Sequence, residues 1–197
     1  MIRYVLAIWL SVVATSSLAD DLIDRLPQPD YPRRSSDPMW LARVVEFHGH
    51  LGPAVVAGAR IGMAGIRAVE AKGYFDVEVA CEGPLAKPPQ SCFLDGLQVA
   101  TGATLGKRTL DWVQADRIVV RVRNTRTGKT AELRPTPALV DLLASLSAPP
   151  KAAGQRGPEQ KATSADRKAD EERLEAAARK LASMPEKEVV VVTRVEP

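Results

Sequence analysis

The chain contains two histidines, and they stand two positions apart in His48-Gly49-His50. On a continuous helix, residues two apart point to nearly opposite sides, so this pair can share a ligand only where the backbone leaves the helix between them. Gly49 supplies that opening, and Gly52-Pro53 forces a further change of direction. Imidazole nitrogen suits zinc, copper, iron and nickel, and a thiolate added to the set shifts the choice toward zinc or another soft metal. The competing reading is structural: one histidine caps the helix before it and the other hydrogen-bonds into the core.

The two cysteines are Cys81 and Cys92. Ser91 reads as an N-cap, which puts Cys92 in the first turn of a helix, where unpaired N–H groups and the helix dipole stabilise a thiolate. Ligation and reactivity follow from that placement, while a disulfide to Cys81 or a buried small hydrophobe stands beside them. Asp95 lies near Cys92 on the same helix and Gln98 follows Asp95 on that side, so both can orient ligands or bind substrate, Asp95 as a candidate catalytic base or a ligand-orienting residue, while solvent-facing polar roles are equally ordinary. Thr101-Gly102-Ala103-Thr104-Leu105-Gly106-Lys107 has glycines ahead of a lysine but not the Walker spacing, and Arg108 replaces the required Ser or Thr. A tight turn presenting Thr104 and Lys107 to a small anionic ligand is the weaker use of that segment.

These residues must be carried by a definite set of elements. Asp37-Pro38 opens a helix bearing Trp40, Leu41, Val44, Val45 and His48 at helical spacing, closed by Gly49. Pro53 starts a second helix through about Ala71, closed by Gly73, and its Ala54, Ala57, Gly58, Ala59, Gly62, Ala64 and Gly65 let another backbone approach closely. Phe75 to Cys81 alternates as a strand, with Phe75, Val77, Val79 and Cys81 on one face. The Cys92 helix runs through Phe93, Leu94, Leu97 and Val99 to Gly102. Arg117–Arg123 and Lys129–Arg134 form a hairpin around Asn124-Thr125-Arg126-Thr127-Gly128, and Thr136-Pro137 caps a helix to about Leu146. From Ala148 to about Thr163 no periodicity survives, so a flexible insertion is expected. A charged helix follows from about Ala165 with Leu174, Ala178 and Leu181 on one stripe, and a β-branched strand, Val189–Val195, ends the fold.

With 197 residues, 45% of them hydrophobic, the chain suffices for one main core. Its net charge of +3 comes from 27 basic and 24 acidic residues, too small an imbalance to imply a nucleic-acid partner. Arg3, the apolar run from Tyr4 to about Ala14 and Ser17-Leu18-Ala19 have the composition of a secretory leader, with cleavage expected after Ala19. The expected organisation is therefore a signal peptide over 1–19, an irregular lead-in over 20–37, a core over 38–147, a flexible insertion over 148–164, and a terminal helix and strand over 165–197 that complete the core. The mature protein is expected to be periplasmic or secreted, with no membrane association after cleavage.

Three ordered motifs, Phe47-His48-Gly49-His50-Leu51-Gly52-Pro53 with Gly58, Arg60 and Gly62, then Ser91-Cys92-Phe93-Leu94-Asp95-Gly96-Leu97-Gln98, then Thr101 to Lys107, closely resemble the FmdE-like family, whose name comes from formylmethanofuran dehydrogenase. The resemblance covers roughly residues 38–147 and extends to the terminal helix and strand. It implies an α+β fold, a mixed or antiparallel sheet with packed helices, and a zinc-binding cleft formed by the His-Gly-His segment and the motif cysteine, often in a homodimer. Carried over by position, the metal ligands are His48, His50 and Cys92, with Asp95, Gln98, Thr101 and Lys107 beside them. Many members carry cysteine where this chain has Gly52 and Ala103, and some add a cysteine-rich zinc finger that this chain does not have. The family name does not transfer an activity, since formylmethanofuran oxidation needs iron–sulfur centres for which two cysteines are too few. Two uses of the cleft stand open: metal-dependent hydrolysis of an unknown small molecule, or a non-catalytic accessory and ligand-binding module.

Overall fold

The computed structural model describes residues 27–29, 31–147 and 163–196. The expected leader and nearly all of the expected insertion lie outside these residues. Pro38 precedes the first helix, α1 (Met39–His48), and Gly49 ends it in the left-handed conformation at φ 92°, its N–H bonded to Val45 O. Pro53 opens α2 (Pro53–Ala68), which stops earlier than the glycine at position 73 suggested: Glu70 turns to φ 55° and Gly73 to φ 91°.

The strand expected over Phe75–Cys81 is shifted to β1 (Val77–Gly83), and Phe75 is 82% exposed rather than inward. The cause is Asp76, whose carboxylate accepts the N–H groups of Lys72 and Gly73 and holds this stretch as a turn. Next comes α3 (Cys92–Thr101), ended by Gly102 at φ 70°; Ser91 precedes it in helical conformation without the capping hydrogen bond expected of it. A strand that periodicity missed, β2 (Leu110–Gln114), follows, and then the hairpin β3 (Val119–Asn124) and β4 (Thr130–Pro135). Beyond β4 the chain forms α4 (Pro137–Ser147), α5 (Ser164–Ser183), the short α6 (Glu186–Val189) and β5 (Val190–Glu196).

Five strands make one mixed sheet in the order β2-β1-β3-β4-β5, with β1 and β2 parallel and every other pair antiparallel. The fold is α+β, as expected. Val77, Val79, Cys81, Val120, Val122 and Leu133 turn inward under the helices, and α2 lies against the sheet so closely that a Cβ on Gly65 would stand 2.6 Å from Val122 Cγ2. The opposite face carries Glu78, Arg121, Arg123 and Glu132, joined by ion pairs at 3.1 Å between Arg123 and Glu78 and between Arg121 and Glu132.

Asn124, read from sequence as part of a turn, is buried and ties this turn to the end of α2. Its amide donates to Val69 O and Glu70 O and accepts from Arg126 N and Thr127 N. Asn124→Ala strands these groups, and a loss of about 1–3 kcal/mol in urea unfolding is expected.

The terminal helix and strand pack against the rest of the described residues. Ala178 and Leu181 of α5 are fully buried, β5 extends the sheet beside β4, and Arg60 of α2 donates to the carbonyls of Leu181, Ala182 and Met184 at the end of α5. Leu181 O also accepts the N–H of the capping residue Met184, and the guanidinium adds its own N–H groups to these helix-end carbonyls while matching the helix dipole.

Candidate functional site

Glycine contacts between α2 and α3 position the site. A Cβ on Gly58 would overlap Phe93 O, and one on Gly96 would overlap Val55 O and stand 2.5 Å from Ala59 N. The two helix backbones therefore touch, which the small residues of α2 allowed from sequence. Asp95 sits beside Gly96 and is thereby delivered to the last residue of α1: His48 Nδ1 lies 2.7 Å from Asp95 Oδ2.

Because a carboxylate only accepts, Nδ1 carries the hydrogen in this bond, which leaves Nε2 as the ring nitrogen able to offer a lone pair to a ligand. That Nε2 is buried and has no hydrogen-bond partner, in a side chain 9% exposed. A buried nitrogen without a partner is costly, and its ring is held by a carboxylate at the other nitrogen, the arrangement of a metal-ligating histidine. The structural reading, in which both histidines are satisfied within the fold, leaves this atom unexplained.

The turn at Gly49 brings the second ring alongside, with centroids of His48 and His50 4.6 Å apart and planes tilted by 41°. Burial and then His48 lower the pKa of His50, opposed by Glu171 of α5. Gly52 keeps the space before His50 open: a Cβ there would lie 3.3 Å from His50 Nε2. Two imidazoles side by side suit a borderline cation such as zinc.

Cys92 is the first residue of α3, as expected, and partly buried. Its thiol does not show the lowered pKa expected of a first helical turn; burial and then the Asp95 carboxylate raise it, outweighing a backbone hydrogen bond. Both cysteines are free thiols, Cys81 being enclosed in the core with a pKa pushed by burial to about 12. Among the described residues, no three His, Cys, Asp or Glu side chains are gathered as a group able to hold a metal ion. The structure thus pairs the histidines and brings Asp95 to His48, without drawing Cys92 into one three-donor cluster.

The other candidates separate into two roles. Gln98 donates to Asp95 Oδ1 at 3.3 Å and accepts from Leu105 N, so it braces the carboxylate that braces His48. Thr101 is buried, and its hydroxyl donates to Leu97 O and accepts from Ala103 N, closing α3. Lys107 folds back over that same helix end, its ammonium donating to the carbonyls of Gly102 and Tyr74. Sequence reasoning missed Arg43, Phe47 and Tyr74, which join Gln98, Thr104 and Lys107 around a cavity of about 420 Å³. Exposed aromatic residues at helix and turn ends were the available signal. A larger concavity, about 620 Å³, covers the outer face of the sheet. Its arginines and glutamates largely answer one another, which distinguishes it from the unanswered nitrogen of His48.

A family model described as "FmdE, Molybdenum formylmethanofuran dehydrogenase operon" matches residues 47–191. A 73-residue stretch, 36% of the chain, is 38% identical to a protein of Archaeoglobus fulgidus described as "Probable S-adenosyl-L-methionine-binding protein", and it spans 19% of that protein's length.

Proposed function

Since the chain belongs to the FmdE family, we propose that it is an exported member that binds a metal ion, zinc by the chemistry of its donors, next to a cleft for a small ligand. The observation that carries this reading is the partnerless, buried Nε2 of His48, whose ring is oriented by Asp95. His48 and His50 would hold the ion, and Cys92, which stands outside a three-donor cluster here, would have to close on it as the third ligand that the resemblance implies, its thiol losing its proton because a cation beside it reverses the effect of burial and of Asp95. When bound, the ion would supply Lewis-acid polarisation of a ligand oxygen.

The protein's own groups have defined tasks around it. Asp95 fixes the His48 ring, Gln98 fixes Asp95, and the Gly49 turn brings His50 alongside. Asp95 is spent on orienting His48, which favours a positioning task over the role of free base considered from sequence. Residues 1–19 have a leader's composition, and on that ground we place the protein outside the cytoplasm; the resemblance adds a homodimer.

Metal analysis of purified protein tests the site. Wild type is expected to carry zinc in stoichiometric amount, His48→Ala and Cys92→Ala to lose it, and Asp95→Asn to weaken zinc binding by about 10–100-fold. Equal trace metal in wild type and all three variants would sink the reading.

A further inference from the structure

We infer that the cavity between α1, α3 and the turns at Tyr74 and Lys107 binds a small planar aromatic carboxylate. Its volume, about 420 Å³, falls in the range of small-molecule sites. Phe47 and Tyr74, 56% and 54% exposed, offer ring surface to it, and Val99 adds apolar lining. Exposed aromatic faces around a cavity suit a flat ring, which stacks without ordering many rotatable bonds.

The charges select an anion. Arg43 donates from Nη2 to the Tyr74 hydroxyl at 3.2 Å, and Lys107 donates to main-chain carbonyls, so both bond to uncharged acceptors. Among the described residues neither is within ion-pair distance of a carboxylate. A planar guanidinium with N–H groups to spare matches a carboxylate's two oxygens. Glu46 also lines the cavity, leaving two cations against one anion, a balance suited to a monoanion rather than a multiply charged phosphate.

Backbone strain points to the same place. Tyr74 is held at φ 64°, a conformation an aromatic residue rarely adopts, by its N–H bond to Thr101 O and by Gly102, where a Cβ would lie 2.7 Å from the Tyr74 ring. Strain of this kind persists where the surroundings impose it and collects at ligand sites. Gln98 faces this cavity and also bonds Asp95, so a ligand here lies one side chain from the carboxylate that orients His48. The inference rests on the metal reading only for this adjacency; the binding itself does not require the ion.

Calorimetric titration of the purified protein with benzoate, cyclohexanecarboxylate and benzamide is the test. Benzoate should bind with a Kd of ~1 mM or tighter, while removing either the flat ring or the charge should weaken binding about tenfold or more. Arg43→Gln and Phe47→Ala should each weaken benzoate to a similar degree with zinc content and thermal stability unchanged. The proposal is overturned if benzoate shows no saturable binding, if benzamide or cyclohexanecarboxylate binds equally well, or if both variants bind as wild type does. Benzoate binding retained in His48→Ala would uphold this site even where zinc analysis fails, and its absence in a zinc-replete protein would remove this site alone.

Discussion

Replacing Gly96 by alanine is expected to lower stability by about 3 kcal/mol or more, the upper range for forcing a methyl into a filled interior. The added Cβ would meet backbone rather than a flexible side chain: it would overlap Val55 O and stand 2.5 Å from Ala59 N and 3.0 Å from Gly58 C. Relief requires α2 and α3 to separate. Their separation also withdraws Asp95 from His48, so the variant should lose zinc together with stability. Thermal unfolding should fall by roughly 6–12 °C for a chain of this size. Gly106→Ala is the control, because a Cβ there meets nothing within 4 Å, and its stability should stay within about 0.5 kcal/mol of wild type. A Gly96→Ala protein that melts with wild type would show that the helices do not depend on this contact.

Arg179→Met should cost about 3–5 kcal/mol, because it leaves a buried carboxylate without its cation. Arg179 of α5 lies 3.2 Å from Asp37, with side chains 9% and 3% exposed, and it also bonds Glu175 and Pro32 O. Asp37 additionally accepts from Tyr31 O–H and Arg34 N–H. These bonds clamp the segment before α1 onto α5, so the residues read as an irregular lead-in belong in part to the folded body. Burial pushes the Asp37 pKa up, but Arg34 N–H, Tyr31 O–H and Arg179 outweigh it and hold the carboxyl below its usual value. A folded pKa below the unfolded one stabilises above the unfolded value and loses that stabilisation as pH falls through the folded value. The gap between wild type and Arg179→Met should thus be full at neutral pH and shrink below about pH 4. Urea unfolding across that range measures it; a gap constant with pH, or absent throughout, would contradict this account.

The helices that carry the site were legible because their ends have local chemistry. Pro38 and Gly49 bound α1, Pro53 opens α2, and Gly102 closes α3 at φ 70°, each acting through its own backbone. The β3–β4 hairpin was equally plain, with turn residues between two alternating runs. By contrast β2 escaped notice: in Leu110–Gln114 only Leu110 is buried, and the strand exists because it runs parallel to β1 at the edge of the sheet. Phe75 was misplaced because alternation cannot reveal that Asp76 will capture two backbone N–H groups and hold the chain as a turn.

By itself, then, the sequence determined that this is an α+β chain of the FmdE family, that its histidines flank a break in a helix, and that Cys92, Asp95 and Gln98 share one helix start. Those properties depend on neighbours along the chain and on ordered motifs. Only the tertiary structure decided that Asp95 grips His48 across 47 residues, that His48 Nε2 is buried without a partner, and that Cys81 and Cys92 remain separate thiols. It likewise decided that Thr101 closes a helix while Arg43, Phe47 and Tyr74 line a cavity. Each of these follows from how α1, α2 and α3 cross, which is set by backbone contact at Gly58 and Gly96 and by burial against the sheet, and neither can be read from spacing along the chain.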